Sequence, residues 1–356
     1  MRSSNQIAAC LLSGLLLSLL LLESSVEAAS LFEPSAPLTI SMIKSKLAGG
    51  ADVNGQDKNG WTALMFASAA GKPECVKLLI SHGADVNIRN HALGTALTVD
   101  AVNSGDVACV HALLAAGADI ETRDRYLDTP LIHAASCGHL ACLKALAAAG
   151  AGLEDHDKDG FTPLIDASIG GYPNCIKALS ALGANVNAKS NDGWTALAYA
   201  ASNGRPDIVG VLISAGSNLE TPDNDQRTPL MNLVANCDSV ACVKMLISHH
   251  AKVQAVDKQR LTALSYAVMS GFTDCAQALI AAGANPSATD TQGCNGLMAA
   301  AWYGSLGCVN ILIAAGVDPA AKDSSGRTAI DYAASGNDGN GYPVIVERLR
   351  SVQPGI

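Results

Sequence analysis

The fold is decided by a stretch that the chain repeats along most of its length. Its clearest copy is Asp159-Gly-Phe-Thr-Pro-Leu164, followed after a short apolar segment by Cys175-Ile-Lys-Ala-Leu-Ser-Ala-Leu-Gly-Ala-Asn-Val-Asn187. A threonine, replaced once by asparagine, opens each copy at intervals of 33 or 34 residues: Thr62, Thr95, Thr129, Thr162, Thr195, Thr228, Thr262, Asn295 and Thr328. A second anchor, usually glycine, keeps the same intervals: Gly50, Gly83, Gly117, Gly150, Gly183, Gly216, His250, Gly283 and Gly316. Two anchors with one period identify a repeat array.

One repeat has the pattern of two short helices. Thr162 is expected to cap the first helix through its hydroxyl, and Pro163 suits the next position, where a backbone N–H is not needed. The second helix carries apolar residues at helical spacing: Ile176, Leu179 and Leu182. Gly183 can then end this helix in a left-handed conformation. Because such a unit cannot bury its apolar face alone, neighbouring repeats must stack on one another.

A 33-residue unit that opens with Thr-Pro-Leu and closes with Gly-Ala-Asp-Val-Asn, as at residues 83–87, resembles the ankyrin repeat. The resemblance covers residues 38–352 and implies an all-α solenoid of helix-turn-helix units joined by β-hairpin-like loops. The sequence departs from the family after Thr-Pro-Leu, where the usual histidine is absent from every repeat. We expect this departure to weaken the Thr–His hydrogen bonding of the family and to leave the helix caps intact.

Residues 1–28 have a different composition from the repeats. Arg2 precedes an apolar run from Ile7 to Leu22, and a site of small residues ends at Ala28. A charged start, an apolar core and a small-residue cleavage site are typical of a secretory signal peptide, so we expect a secreted or lumenal protein. The alternative is an uncleaved membrane anchor through residues 7–22, although that run is short for a membrane-spanning helix.

The remainder of the chain divides according to the repeat. We expect an irregular lead-in over 29–37, an N-terminal cap with the first hairpin over 38–61, full repeats over 62–327 and a C-terminal capping repeat over 328–352. The N-terminal cap is predicted to be a helix from Thr39 to Ala48, and the last helix to run from about Pro343 to Val352. Repeats two and six each hold one extra residue, which we place near the turn between the two helices.

Seven cysteines share one position in the second helices: Cys75, Cys109, Cys142, Cys175, Cys242, Cys275 and Cys308. Stacked helices lie about 8–10 Å apart, beyond the reach of a disulfide. We therefore interpret this cysteine ladder as a row of small buried apolar residues, a common role of free cysteine. Cys137 with Cys142, and Cys237 with Cys242, could still form local disulfides in an oxidising compartment.

Two short motifs suggest metal ligands, and each has a structural explanation. Cys137, His139 and Cys142, with His133 nearby, could be drawn as a zinc site, but their spacing matches no usual ligand pattern. Gly-His-Leu at 138–140 is the turn that the ankyrin resemblance implies. The segment 155–160, together with Asp166, matches a calcium loop, although the repeat register already accounts for part of it. We expect no metal and no cofactor. The alternative is a calcium- or metal-dependent secreted binding module centred on Asp155–Asp166.

The sequence carries no catalytic signature: it has no nucleophile elbow, zinc-protease motif, phosphate loop or dinucleotide fingerprint. Its formal net charge of −9 argues against nucleic-acid binding. We expect a non-catalytic scaffold that binds another protein. Neither nucleic acid nor a small-molecule substrate is expected as a partner, and a membrane only if the N-terminal segment stays uncleaved.

The resemblance implies that partners contact the hairpin tips and the exposed sides of the first helices. Candidate binding residues lie at those places: Trp61, Tyr126, Phe161, Trp194, Arg227, Leu261, Trp302, Tyr303 and Arg327. Aromatic residues and arginine are the types that anchor many interfaces. The alternative for Trp61, Phe161 and Trp194 is that each ring only covers a neighbouring helix, since single exposed apolar residues are normal. Trp302 and Tyr303 are the sharper candidates.

Overall fold

The structure is a computed structural model that describes residues 38–101, 104–337, 339 and 341–352. The predicted signal peptide (1–28) and lead-in (29–37) lie outside the described residues. The chain forms two compact units, which we call the N-terminal half, up to Asn191, and the C-terminal half, from Asp192 onward. Within the described ranges, no helix combines the length and the apolar character needed to cross a membrane.

The N-terminal half consists of a capping helix and helix pairs. The elements are α1 (Ile40–Ala48), α2 (Ala63–Ala69), α3 (Pro73–Ser81), a π-helical segment (Ala96–Ala101), α4 (Val107–Ala115), α5 (Pro130–Ser136), α6 (Leu140–Ala148), α7 (Pro163–Gly170) and α8 (Pro173–Ala181). First helices of successive repeats pack against one another, and second helices do the same. Stacking of this kind buries the apolar face that a single repeat would leave exposed.

The C-terminal half repeats the arrangement. Its elements are α9 (Ala196–Ser202), α10 (Pro206–Ser214), α11 (Pro229–Asn236), α12 (Val240–Ser248), α13 (Ala263–Met269), α14 (Thr273–Ala281), α15 (Gly296–Trp302), α16 (Leu306–Ala314), α17 (Ala329–Ser335) and α18 (Pro343–Arg350). The described residues contain no extended strand, and isolated β-bridges such as Gln56–Thr62 close individual loops. The all-α prediction is confirmed.

The predicted helix caps are present. The Thr162 hydroxyl accepts a hydrogen bond from the Ile165 N–H at 3.4 Å, and the Asn295 side chain accepts one from the third residue of α15 at 3.0 Å. At the closing anchor, Gly183 has a left-handed φ of 97°. His250 adopts φ of 69° at the equivalent position, which glycine occupies with less strain. The repeat therefore sets the backbone conformation even where the glycine is missing.

The extra residue is accommodated differently in the two longer repeats. In repeat two it lies in the first helix, because residues Ala96–Ala101 wind as a π-helix, the form that absorbs one added residue. In repeat six α11 ends at Asn236, and Cys237 is extended with φ of −146° and ψ of 135°. The predicted place near the helix–helix turn is right for repeat six and wrong for repeat two.

The second helices supply a large part of the core. All seven ladder cysteines are buried, as predicted. Ile176 and Leu179 on α8 are buried as well. Leu182 was expected in the same apolar stripe, but it is the C-cap of α8 and remains 49% exposed. The chain leaves the helix at that residue, so helical periodicity no longer directs its side chain inward.

No cysteine in the described part of the chain is in a disulfide. Neither Cys137 with Cys142 nor Cys237 with Cys242 is bonded. Burial raises the pKa of the Cys109 thiol to about 12 and that of Cys142 to about 11. Cys109 and Cys142 are thus protonated at neutral pH, and the protonated thiol is a poor nucleophile.

We expect brief iodoacetamide treatment to label Cys137, Cys237 and Cys294, which are half-buried, and to spare the seven ladder cysteines. Shielding from solvent slows the reaction of the ladder thiols, all of which are buried. Peptide mass mapping with and without urea would measure the labelling. If ladder cysteines were modified without urea as fast as with it, their burial would be contradicted.

Candidate protein-binding site

A groove of about 350 Å³ lies in the C-terminal half, beside the first helices α13, α15 and α17. Its apolar and aromatic wall is formed by Leu261, Met269, Met298, Trp302, Tyr303 and Tyr332. Asp290 and Gln292 contribute polar groups to its lining. We call this cavity the Trp302 groove. It combines an apolar surface with a few polar groups, as binding sites commonly do.

Small residues on α15 open the groove. Tyr266 in repeat seven and Tyr332 in repeat nine stand four residues after the opening threonine, whereas repeat eight has Ala299 at that position. Gly296, at the start of α15, also lines the cavity. Because alanine and glycine occupy so little volume, space remains beside α15, and Trp302 borders it at the C-terminal end of that helix.

Tyr332 is held in place by polar and aromatic contacts. Its hydroxyl donates to Asp323 Oδ2 at 2.7 Å and accepts from Arg327 Nη2 at 2.6 Å. The Arg327 guanidinium carbon lies 4.5 Å from the centroid of the Tyr332 ring. Trp302 meets the same ring edge-on, with centroids 6.0 Å apart. One wall of the groove is therefore ordered before any partner arrives.

Asp323 accepts hydrogen bonds that hold both Tyr332 and Arg327 in place. Its Oδ1 accepts the N–H groups of Ser325 at 2.9 Å and Arg327 at 2.8 Å, and its Oδ2 accepts from Arg327 Nε at 3.0 Å. Burial acts to raise the pKa of Asp323, but these hydrogen bonds and the one from Tyr332 outweigh burial and hold the pKa at about 2. Burial, Cys294 and Asp323 together raise the pKa of Tyr332. Both groups thus keep their hydrogen-bonding protonation state across the neutral range.

Four of the predicted binding residues belong to the groove or to its support. Leu261, Trp302 and Tyr303 line it, and Arg327 holds Tyr332. Tyr303 is 41% exposed, so its ring is available for contact. The structure therefore brings together residues from well-separated positions in the sequence.

Two other predicted residues of the C-terminal half pack locally. Trp194 packs against Tyr199 with ring centroids 5.0 Å apart and the ring planes tilted by 44°. Arg227 lies over the Tyr266 ring, with 5.1 Å from the guanidinium carbon to the centroid. Neither residue lines the Trp302 groove. The contact of Trp194 agrees with the alternative in which its ring covers a neighbouring helix.

Among the predicted binding residues of the N-terminal half, Trp61 and Phe161 are half-buried and Tyr126 is exposed. Trp61 packs against Phe66 with centroids 4.9 Å apart, and Phe161 is half-buried. Tyr126 is exposed at a hairpin tip, where the Lys158 ammonium lies 4.2 Å from its ring centroid. Tyr126 is therefore the predicted residue of this half with the most accessible surface.

The predictions do not include Met269, Met298 or Tyr332, which also line the groove. A signal existed for Tyr332, because an aromatic residue stands four positions after the opening threonine in several repeats: Phe66, Tyr199, Tyr266 and Tyr332. No comparable signal existed for the methionines, since methionine at helical spacing is typical of a core.

The carboxylates of the predicted calcium loop are engaged elsewhere. Asp155 forms an ion pair with Arg123 at 2.6 Å. Asp157 Oδ1 accepts two backbone N–H groups of its own hairpin, each at 2.8 Å. Asp166 is buried within α7. These contacts give Asp155 and Asp157 a structural role in the repeat.

A different set of potential metal ligands lies close together in the N-terminal half. Ligand atoms of Asp124, Asp128 and His133 all lie within 4.8 Å of one another. Asp124 Oδ2 is 3.3 Å from His133 Nε2. Burial acts to raise the pKa of Asp124, but the contact with His133 and backbone hydrogen bonds outweigh it and lower the pKa. This group, among the described residues, contains neither Cys137 nor Cys142.

The family described as ankyrin repeats (3 copies) matches the chain over residues 38–124, 100–190, 131–223, 173–257, 215–290 and 264–351. The overlapping matches extend from residue 38 to residue 351. Ankyrin repeats generally mediate protein–protein interaction, and the fold is typically non-catalytic.

The curated relatives match over short segments. The chain is 36% identical over 64 residues to the ankyrin repeat protein YahD of Escherichia coli (strain K12), which is 18% of this chain and 32% of YahD. It is 45% identical over 47 residues to the Homo sapiens NAD-capped RNA hydrolase NUDT12, covering 13% of this chain and 10% of that protein. It is 48% identical over 50 residues to the ankyrin repeat protein L86 of Acanthamoeba polyphaga mimivirus, covering 13% of this chain and 9% of that protein. The chain thus spans about a third or less of these relatives.

A solved structure extends the similarity to most of the repeats. The crystal structure of the human ASB11 ankyrin repeat domain matches with a TM-score of 0.56 and 25% sequence identity, covering 64% of this chain and 99% of that chain. Taken with the capped helix pairs and the family matches from residue 38 to residue 351, this similarity shows that the chain belongs to the ankyrin repeat family and has its all-α solenoid fold.

Proposed function

We propose that the chain is a non-catalytic scaffold that binds another protein through the Trp302 groove. The observation that carries the proposal is the pairing of Trp302 with the exposed Tyr303 on the rim of an apolar groove. Aromatic side chains are the residues in which binding energy concentrates at protein interfaces. A bulky apolar side chain of the partner would enter the groove, and polar groups of the partner would meet Asp290 and Gln292 at its edge.

The mechanism is rigid presentation. Asp323 and Arg327 fix Tyr332, and Tyr332 in turn contacts Trp302 edge-on. Because these side chains are ordered before the partner binds, little conformational entropy is lost on association. Specificity would arise from the shape that Ala299 and Gly296 leave beside α15.

The remaining candidates have smaller roles in this proposal. Tyr126, exposed at a hairpin tip, is a second place of contact. Trp61, Phe161 and Trp194 contribute less because they do not line the groove, and the rings of Trp61 and Trp194 pack against Phe66 and Tyr199. A calcium- or metal-dependent module centred on Asp155–Asp166 has less support, since the carboxylates there already have protein partners.

Substitution of Trp302 by alanine is expected to weaken partner binding by about tenfold or more, the effect of removing an interface hot spot. Helical content in far-ultraviolet circular dichroism should not change. Trp194→Ala is the matched control, because it makes the same change in the same half, on a ring that packs against Tyr199 outside the groove. Equal affinities of the two variants would remove the groove from the binding surface.

We further propose that residues 1–28 act as a cleaved signal peptide that directs the chain into the secretory pathway. The support is the charged start, the apolar run and the small-residue site at Ala28. N-terminal sequencing of a C-terminally tagged protein should give a first residue at or near Ala29. A product on membranes that retains Met1 would instead favour an anchor through residues 7–22.

A further inference from the structure

The cluster of Asp124, Asp128 and His133 has two features with separate explanations. The first is the pair of Asp124 and His133, which stand nine residues apart. Equivalent pairs occur in other repeats: Asp223 with Asn232 at 3.2 Å, Asp257 with Tyr266 at 2.6 Å and Asp323 with Tyr332 at 2.7 Å. A contact between a loop aspartate and the first helix therefore recurs in several repeats of this chain. The Asp124–His133 pair alone indicates no ligand.

The second feature is Asp128, which directly precedes the opening threonine Thr129 and adds a second carboxylate to the loop. In repeat nine the equivalent position holds Arg327, whose guanidinium lies 3.0 Å from the loop aspartate Asp323. The chain thus places a cation at this position in one repeat and a second carboxylate in another. Asp128 Oδ1 is buried and has no hydrogen-bond partner among the described residues.

Negative charge exceeds positive charge around Asp128. Its titratable neighbours are His133, Asp124, Asp157 and Lys158. Lys158 directs its ammonium over the Tyr126 ring, 4.2 Å from the centroid. Two carboxylates and an imidazole therefore share a confined space, and a buried carboxylate without a hydrogen bond is unfavourable.

We propose that Asp124, Asp128 and His133 bind a divalent transition-metal ion of the zinc and cobalt class. Carboxylate oxygen and imidazole nitrogen are usual ligands of such ions, at about 2.0–2.2 Å. The two carboxylates match the charge of a divalent cation. The imidazole favours a transition metal over calcium, which takes six to eight oxygen ligands.

The geometry requires only a small closure around the ion. A tetrahedral site with bonds of about 2.0–2.1 Å needs ligand atoms roughly 3.3 Å apart. Asp124 and His133 are already separated by 3.3 Å, and the whole cluster lies within 4.8 Å. Rotation of the Asp128 side chain would complete three protein ligands. The bound ion would then link the hairpin loop to the first helix α5.

Cobalt titration of the full chain, after treatment with EDTA, tests this proposal. Bound Co²⁺ has visible absorption bands, and a thiolate ligand adds a strong near-ultraviolet charge-transfer band. The expected result is one Co²⁺ per chain, with visible bands, no thiolate band, and displacement by Zn²⁺. A spectrum dominated by the thiolate band would place the ion on cysteines and overturn the proposal.

Two ligand variants and one matched control complete the test. Asp128→Asn and His133→Gln should each weaken Co²⁺ binding by at least about tenfold. Asp223→Asn changes the loop aspartate of repeat six, which pairs with Asn232 rather than with a histidine, and should bind Co²⁺ like the wild type. Circular dichroism in EDTA checks that each variant is folded. Wild-type affinity in both folded ligand variants would also overturn the proposal.

Discussion

Replacement of Leu246 by alanine is expected to lower the free energy of unfolding by about 2–5 kcal/mol. Leu246 is fully buried on α12, which packs between the second helices α10 and α14. The substitution removes buried methyl groups and leaves a cavity that the neighbouring helices fill only in part. Urea unfolding followed by circular dichroism measures the loss.

The helices that Leu246→Ala destabilises can also be identified. Repeats couple to their immediate neighbours, so a weakened repeat is expected to open before distant ones. Hydrogen exchange should therefore accelerate first in α10, α12 and α14. Leu182→Ala is the control, because Leu182 is half exposed and its truncation should change stability by no more than about 0.5 kcal/mol. Equal losses in the two variants would contradict the assignment of the core.

Asp128→Asn is expected to stabilise the protein above pH 6 when EDTA is present. Burial raises the pKa of Asp128 from the ordinary 3.8 to about 6. The folded state therefore binds this proton more tightly than the unfolded state, so the stabilising contribution is present below about pH 4 and is lost as the pH rises through about 6. A shift of two pKa units corresponds to about 3 kcal/mol, and partial exposure to solvent reduces this to about 1–2 kcal/mol.

Urea unfolding of both proteins between pH 4 and pH 7.5 measures this difference. Other carboxyl groups titrate in both chains, so the difference between the two curves isolates Asp128. It should be near zero at the acidic end and should favour Asp128→Asn above pH 6. A constant difference across the range would show that Asp128 does not have a raised pKa. EDTA keeps this experiment separate from metal binding.

Most of the fold could be predicted from the sequence because one repeat contains its own signals. Thr162 caps a helix, Gly183 ends the next, and a fixed period forces neighbouring units to stack. The π-helical segment Ala96–Ala101 could not be predicted, since an added residue can enter a helix or a turn without changing the period. Leu182 was misplaced for a related reason, because periodicity does not show where a helix stops.

The groove was harder to predict than its residues. Trp302 and Tyr303 could be identified as candidates because large aromatic residues are rare in this chain. The cavity itself depends on the small volume of Ala299 beside Tyr332, a relation between residues about one repeat apart. The Asp124–His133 pair follows from a spacing of nine residues that becomes meaningful only once the loop and helix are seen together.

Photo-crosslinking from position 303 tests the central claim, partner binding at the Trp302 groove, most directly. Tyr303 would be replaced by p-benzoylphenylalanine in the full chain, and the exposed Leu182 would carry the same group in a control. We predict that one protein crosslinks from position 303 and not from position 182, and that Trp302→Ala reduces its yield by about tenfold. The same products from both positions, or an unchanged yield with Trp302→Ala, would contradict binding at this groove.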